Sequence, residues 1–184
     1  MKEEPKSQVS ITTFIDPNIN IFDIPTRPSK YIVKQICAER WKEKLRNCPK
    51  GVTYQTFKEN IQFEKYLTCA RNRKHRVALT KLRTSDHNLM IEVGRRKRPR
   101  LRREERTCGL CKTIEDEKHF LLICPLYPQR QNLIRKVEEA CPEFKNLPTT
   151  ESKLIYLLSQ ENVELLILMA ELVHNWLTIR ENLS

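Results

Sequence analysis

Glycine is nearly absent: Gly51, Gly94 and Gly109 are the only three in 184 residues. So few freely rotating positions argue against the many tight turns of a large sheet, and the abundance of Leu, Glu, Lys and Arg favours helix. Long apolar runs are missing too. The longest, Leu165 to Ala170, is six residues, far short of the ~20 that cross a bilayer, so no membrane partner is expected. Aspartate is scarce, with only Asp16, Asp23, Asp86 and Asp116. Two-metal phosphoryl chemistry needs grouped carboxylates, and the chain offers no such set, so it is read as non-enzymatic. The N-terminus, Met1 to Lys6, has no apolar stretch of the kind a secretory leader needs. The expectation is an intracellular chain with reduced thiols, in which seven cysteines point to metal and not to a disulfide framework.

What the chain has in excess is positive charge. The net charge is +11, and it is concentrated: fourteen Lys and Arg face four Asp and Glu between Arg71 and Arg106. From Glu151 onward the balance reverses, with two basic and five acidic residues. A patch this cationic attracts a polyanion, most often nucleic acid.

The expected fold class is mostly α: a small helical domain with an embedded Cys3His zinc knuckle and an extended N-terminal arm. Residues 1–28, with Pro at 5, 17, 25 and 28, read as arm or linker. Residues 29–93 read as a helical, partly basic segment. Within it a helix runs from Ser29 to about Asn47, carrying Ile32, Ile36 and Leu45, and stops at Pro49-Lys50-Gly51. A second helical pattern covers 54–70. A third, His75 to Arg83, turns Val77, Ala78 and Leu82 inward. Ser85 is placed as the N-cap of a short helix, Asp86 to Val93, stopped by Gly94. Residues 94–141 form a basic connector plus the metal module, then a helix entered at Pro128 and ending near Ala140. Residues 142–184 give amphipathic C-terminal helices packing on the core. Leu165, Leu168, Met169, Leu172, Trp176 and Ile179 form a helical stripe suited to a core or a dimer contact.

Cys108-Gly-Leu-Cys111 is followed by His119 and Cys124. Zinc takes four thiolate or imidazole ligands in a tetrahedron, and a Cys-x2-Cys turn supplies two of them. Gly109 is expected to relieve crowding in that turn. His119 and Cys124 are five apart, about 140° around an ideal helix, so Cys124 is placed at a helix end, before Pro125. His87 and Cys141 remain alternative ligands. Four protein ligands leave no open coordination position, so the Zn2+ would be structural. Three thiolates and an imidazole would carry −1 in total, which the upstream arginines are expected to offset.

The cations with the best claim to phosphate are Arg95, Arg96, Lys97, Arg98, Arg100, Arg102, Arg103 and Arg106, with a second strip of Arg71, Arg73, Lys74, Arg76, Lys81 and Arg83. Guanidinium grips phosphate in a bidentate fork. About six such contacts to duplex DNA would give a log K against log salt slope near −5. The same run has the composition of a nuclear localisation signal. His75 is placed beside phosphate, His87 as a local hydrogen-bonding residue and His174 as structural.

Leu79 to Arg95, Arg106-Thr-Cys-Gly-Leu-Cys111 and Ile114-Glu-Asp-Glu-Lys-His-Phe-Leu-Leu-Ile-Cys-Pro-Leu-Tyr127 together resemble the C-terminal zinc-knuckle region of reverse transcriptases from LINE-type (non-LTR) retrotransposons. The resemblance covers Phe57 to Arg135. It implies metal ligation by Cys108, Cys111, His119 and Cys124, and binding of element RNA or target DNA. The chain departs from the whole enzyme in lacking a Tyr-x-Asp-Asp signature and any Asp beyond Asp116. It reads as a binding tail without the catalytic parts. The first expectation is therefore a zinc-dependent RNA- or DNA-binding accessory domain. The second is a protein-interaction module whose C-terminal helix docks a reverse transcriptase body or a second copy.

Overall fold

The computed structural model describes residues 30–48, 50–127 and 129–183. The expected arm, the helix start at Ser29, and Pro49 and Pro128 lie outside the described residues. The chain divides into two compact units, Met1–Arg40 and Trp41–Ser184. Of the first, the described part is the opening of helix α1 (Lys30–Arg46). That helix forms where expected, but none of its residues is buried.

The second unit is helical, with no strand among the described residues beyond one isolated antiparallel bridge, Thr107 to Ile114. Its spine is α8 (Val163–Asn182). Asn162 caps it, its side-chain oxygen accepting from the backbone N–H groups of Glu164 at 3.0 Å and Leu165 at 3.2 Å. Leu165, Leu166, Met169, Ala170, Leu172, Val173, Trp176 and Leu177 are all buried along it. The expected C-terminal stripe is thus mostly core: Leu168 is half-buried, and Ile179 lies outside.

Helices α3 (Tyr66–Cys69) and α4 (Arg73–Arg83) lie along α8. Asn72 caps α4 through a 2.9 Å bond from Lys74 N–H. Its buried stripe is Ala78, Leu79 and Leu82, while Val77, expected inward, is exposed. Truncating a core side chain such as Leu82 to Ala would cost about 2–5 kcal/mol. Helix α6 (Arg130–Ala140) also packs on α8, and α7 (Thr150–Leu158) covers α2 (Val52–Phe57). The hydrophobic cluster draws on residues from Tyr66 to Leu177, with half-buried Phe57 packed against it.

The helix expected over 54–70 is two pieces, α2 and α3, and the reason is electrostatic. Arg83 is buried, with its guanidinium carbon 4.7 Å from the Phe57 ring centre and 5.3 Å from that of Tyr66. In one straight helix those rings would be about 13 Å apart along the axis. The chain folds back between them instead. The fold-back lets Glu64 accept from both Arg83 (2.9 Å) and buried Lys58.

The next helix is shifted as well. Ser85 does not start it; Ser85 ends α4. Its φ is +54°, Ser85 N–H donates to Leu82 O at 3.3 Å, and Asp86 N–H donates to Lys81 O at 2.8 Å. That is the left-handed helix terminus usually built on glycine. Helix α5 spans Met90–Arg96, and Gly94 lies inside it. A Cβ at Gly94 would sit 2.6 Å from Arg106 Cγ, so this glycine is there to let the Arg106 side chain pass.

Candidate metal centre and cationic surface

The metal module begins as a hairpin. Glu115 N–H donates to Arg106 O at 2.9 Å and Cys108 N–H to Thr113 O at 2.8 Å. Lys112 N–H donates back to Cys108 O at 3.0 Å, closing the turn that carries Cys108 and Cys111. The left-handed residue in that turn is Lys112, with φ +60°, and a Cβ on Gly109 would meet nothing. The role expected of Gly109 is therefore not the one the turn uses.

After the hairpin the chain alternates. Glu115, Glu117 and His119 are buried, while Ile114, Asp116 and Lys118 are half-buried. Asp116 then caps the following helix, its Oδ1 accepting from His119 N–H at 2.9 Å. From His119 to Ile123 the helix is of the π type. Its wider turn is closed by Cys124 N–H donating to His119 O at 2.8 Å. This answers the geometric problem of a five-residue spacing. An α-helix would turn Cys124 away, and the i to i+5 bond brings it back over His119. Cys124 stands at the end of that helix, as expected.

The four ligand atoms lie within 4.8 Å of one another. Cys124 Sγ is 4.0 Å from Cys108 Sγ and 3.7 Å from Cys111 Sγ. Two thiolates on a tetrahedral ion with metal–sulfur bonds of about 2.3 Å would be about 3.8 Å apart; a disulfide needs about 2.05 Å. His119 supplies an independent test. Its Nδ1 is 3.1 Å from Thr113 Oγ1, while its Nε2 is buried with no hydrogen-bond partner. A buried imidazole nitrogen is not left orphaned without cause, and a metal ion at the cluster is the partner that fits. Thr113 would fix the ring through its other nitrogen, as supporting residues around metal ligands do.

The alternative ligands fall away. His87 is buried and occupied, its Nε2 3.0 Å from Glu117 Oε1 and its Nδ1 accepting from Leu89 N–H at 3.3 Å. This is the local hydrogen-bonding role expected of it. Cys141 is not among the four clustered residues. Without a metal, Cys111 and Cys124 hold their protons. Burial, together with the neighbouring Cys111 and Cys108 sulfurs, pushes Cys124 up to about 12. Burial also raises Cys111 and lowers His119. The cation set beside the thiols is Arg130 of α6, which donates to Cys124 O and favours the Cys111 thiolate. It comes from downstream of the module, not from the upstream run.

The module is clamped to the core on two sides. Phe120 and Tyr127 pack on Trp176, with centroids 5.8 and 5.2 Å away. Phe120 is therefore a core residue. Glu115, buried, takes Arg180 Nε at 2.6 Å and Met90 N–H at 2.7 Å. Ser85 Oγ donates to Glu117 at 2.8 Å. Sequence reasoning missed Glu115, Glu117, Thr113 and Arg180. The period of two through Glu115, Glu117 and His119 was the available signal, since alternate residues of an extended stretch face one way.

The cations divide into two groups. Arg83 and Arg106, both expected at a phosphate surface, are buried, and this is a correction. Arg83 donates to Leu158 O and pairs with Glu64; Arg106 donates to Leu101 O at 2.8 Å and Ile91 O at 3.1 Å. Arg76 is half-buried and closes on Ala70 O and Arg71 O, both at 2.8 Å, and half-buried Arg95 grips Glu92 at 2.6 Å. Arg71, Arg73, Lys74, Lys81, Arg96, Lys97, Arg98, Arg100, Arg102 and Arg103 are exposed. His75 is half-buried against His174, ring centres 5.3 Å apart.

No helix among the described residues is long and apolar enough to cross a membrane. Comparison with protein families, with curated proteins and with solved structures finds no match.

Proposed function

We propose that the chain is a zinc-structured nucleic-acid-binding module without catalysis of its own. The observation that carries this reading is the closed Cys3His cluster set beside a stretch, Arg96 to Arg103, in which every Lys and Arg is exposed. The cluster's chemistry favours zinc, because three sulfurs and one imidazole at tetrahedral spacing suit that ion best. The ion supplies folding energy, about 10–16 kcal/mol in comparable peptides. All four donors come from the protein, so the ion's task is to fix the hairpin and π-helix in place. Phosphate contact falls to the arginines. The likeness to the tail of a LINE-type reverse transcriptase agrees with this division of labour and suggests RNA or DNA of a transposable element as the ligand, with a nuclear setting.

The reading is tested by titrating metal-loaded protein against single- and double-stranded RNA and DNA across a salt series. Binding that weakens steeply with salt is expected; no binding at low salt would sink the proposal. The docking alternative has less support. Leu165, Met169, Leu172 and Trp176 are spent on the chain's own core, and the large apolar residues that helix leaves exposed are Val163, Ile167 and Ile179.

A further inference from the structure

Between the start of α2, helix α5, the 100–106 stretch and α7 lies a cavity of ≈ 360 Å³. Three separate pieces of chain bring cations to its wall: Arg95 from α5, Arg100, Arg103 and Arg106 from the connector, and Lys118 from just before His119. Building on the nucleic-acid reading, we infer that this cavity seats a phosphate monoester, the terminal phosphate of a nucleic-acid strand.

The wall also carries carboxylates, and each is engaged. Glu92 holds Arg95 at 2.6 Å, Glu151 holds Lys118 at 2.7 Å, and Glu117 takes Ser85 and His87. Asp116 caps His119 N–H at 2.9 Å, and its other oxygen is 3.8 Å from Arg103, beyond hydrogen-bonding distance. Arg106 is satisfied by carbonyls. Two guanidiniums remain open to an anion: Arg103, whose ion pair with Asp116 is long at 3.8 Å, and Arg100, which has no ion pair among the described residues. The crowding is felt at Arg106, which burial and then the charges of Arg100 and Arg103 drive below the ordinary arginine value. An anion in the cavity relieves that repulsion.

The volume is that of a small-ligand site. A diester inside a continuing strand needs a groove open at two ends. A terminal phosphate has one attachment and a charge of about −1.5 to −2, so it enters a cavity and presents free oxygens to two guanidinium forks. Free pyrophosphate presents the same chemistry, and the test separates the two sources.

The full metal-loaded chain is titrated at low salt with one strand in phosphorylated and hydroxyl-ended forms, with pyrophosphate as competitor. The same titrations follow on R100Q/R103Q, whose side chains are exposed, and on R73Q/K74Q, which removes equal charge elsewhere. The phosphorylated strand should bind about tenfold more tightly. Pyrophosphate and R100Q/R103Q should each abolish that preference, and R73Q/K74Q should keep it. Equal affinity for both strands, with no pyrophosphate binding, would overturn the seat and leave the nucleic-acid reading standing. Pyrophosphate binding sensitive to R100Q/R103Q, with no strand bound, would keep a phosphate seat and overturn both the strand as its source and the nucleic-acid reading. Binding of neither probe would overturn both.

Discussion

The backbone N–H of Cys124 donates to the carbonyl of His119 at 2.8 Å, across five residues instead of the four of an α-helix. That one bond sets the metal cluster, because it places the last sulfur on the same side as the imidazole. A π-type turn is a poor choice for a helix on its own account, and ligation of a metal ion by the cluster would compensate for it. Removing the metal should therefore do more than empty a site. With a chelator, the segment from Arg106 to Tyr127 should lose hydrogen-exchange protection first, and stability should fall by several kcal/mol of the roughly 10–16 that such ions supply. Elemental analysis of the untreated protein should give one zinc per chain. Cys111→Ser should mimic the chelator, and a variant that stays metal-free with unchanged stability would contradict this.

Thr113→Val tests the support of the cluster separately from its ligands. The 3.1 Å contact from Thr113 Oγ1 to His119 Nδ1 is removed while all four donors remain. Metal affinity should fall about 10–100-fold, measured by competition with a chromophoric chelator, with the helical content of the loaded form retained.

Much of this was legible in the chain. The four ligands, the helical class and the cation-rich connector follow from spacing and composition, which are local properties. What was hidden depended on partners distant in sequence. Ser85 reads as an N-cap by residue type, yet it ends α4 at φ +54° because its hydroxyl reaches Glu117, thirty-two residues on. Arg83 and Arg106 look identical to their exposed neighbours in any charge count. Only the fold shows that carbonyls and Glu64 take them inward. Gly94 reads as a stop signal, and its actual reason is a side chain twelve residues later.

Ser85 yields a paired prediction. Ser85→Ala keeps the left-handed backbone and loses the bond to Glu117. Ser85→Gly loses the bond and relieves the backbone, which is worth about 1 kcal/mol. Both should destabilise, Ala by about 1 kcal/mol more than Gly, as read from urea midpoints at constant slope. Reversal of that order would show that the left-handed turn is not under strain.

Acid should act through Glu117. Burial raises its pKa, but the hydrogen bonds it accepts from His87, from the backbone and from Ser85 more than offset this, so it ionises below the ordinary glutamate value. A lowered carboxylate pKa contributes stability that is complete above the unfolded value and lost as pH falls through the folded one. Stability should decline on the acid side of about 4.5. Comparing metal-loaded wild type with Glu117→Gln at matched zinc should show the variant destabilised at neutral pH and flatter on the acid limb. Parallel limbs would remove Glu117 from the account.

The exposed arginines are not equivalent, and the salt slope should say so. Arg102 is held by Glu105, with Nη2 3.0 Å from the carboxylate and a second bond from its own backbone N–H at 2.7 Å. Arg98 is exposed, with no ion pair among the described residues. A phosphate must displace Glu105 to reach Arg102, whereas Arg98 needs only to release its counterion. On duplex DNA the parent slope should be near −5 if about six cations engage. Arg98→Gln should make it shallower by about one unit, and Arg102→Gln by clearly less. Arg106→Gln makes the contrast. Its aliphatic stem lies over Gly94 and its guanidinium closes on Leu101 and Ile91 carbonyls, so the change should cost about 1–3 kcal/mol of stability through the carbonyls left unpaired and leave the slope of the remaining folded protein unaltered. Equal slope changes at Arg98, Arg102 and Arg106 would mean that binding reads net charge alone and takes no account of which guanidiniums the fold leaves outside.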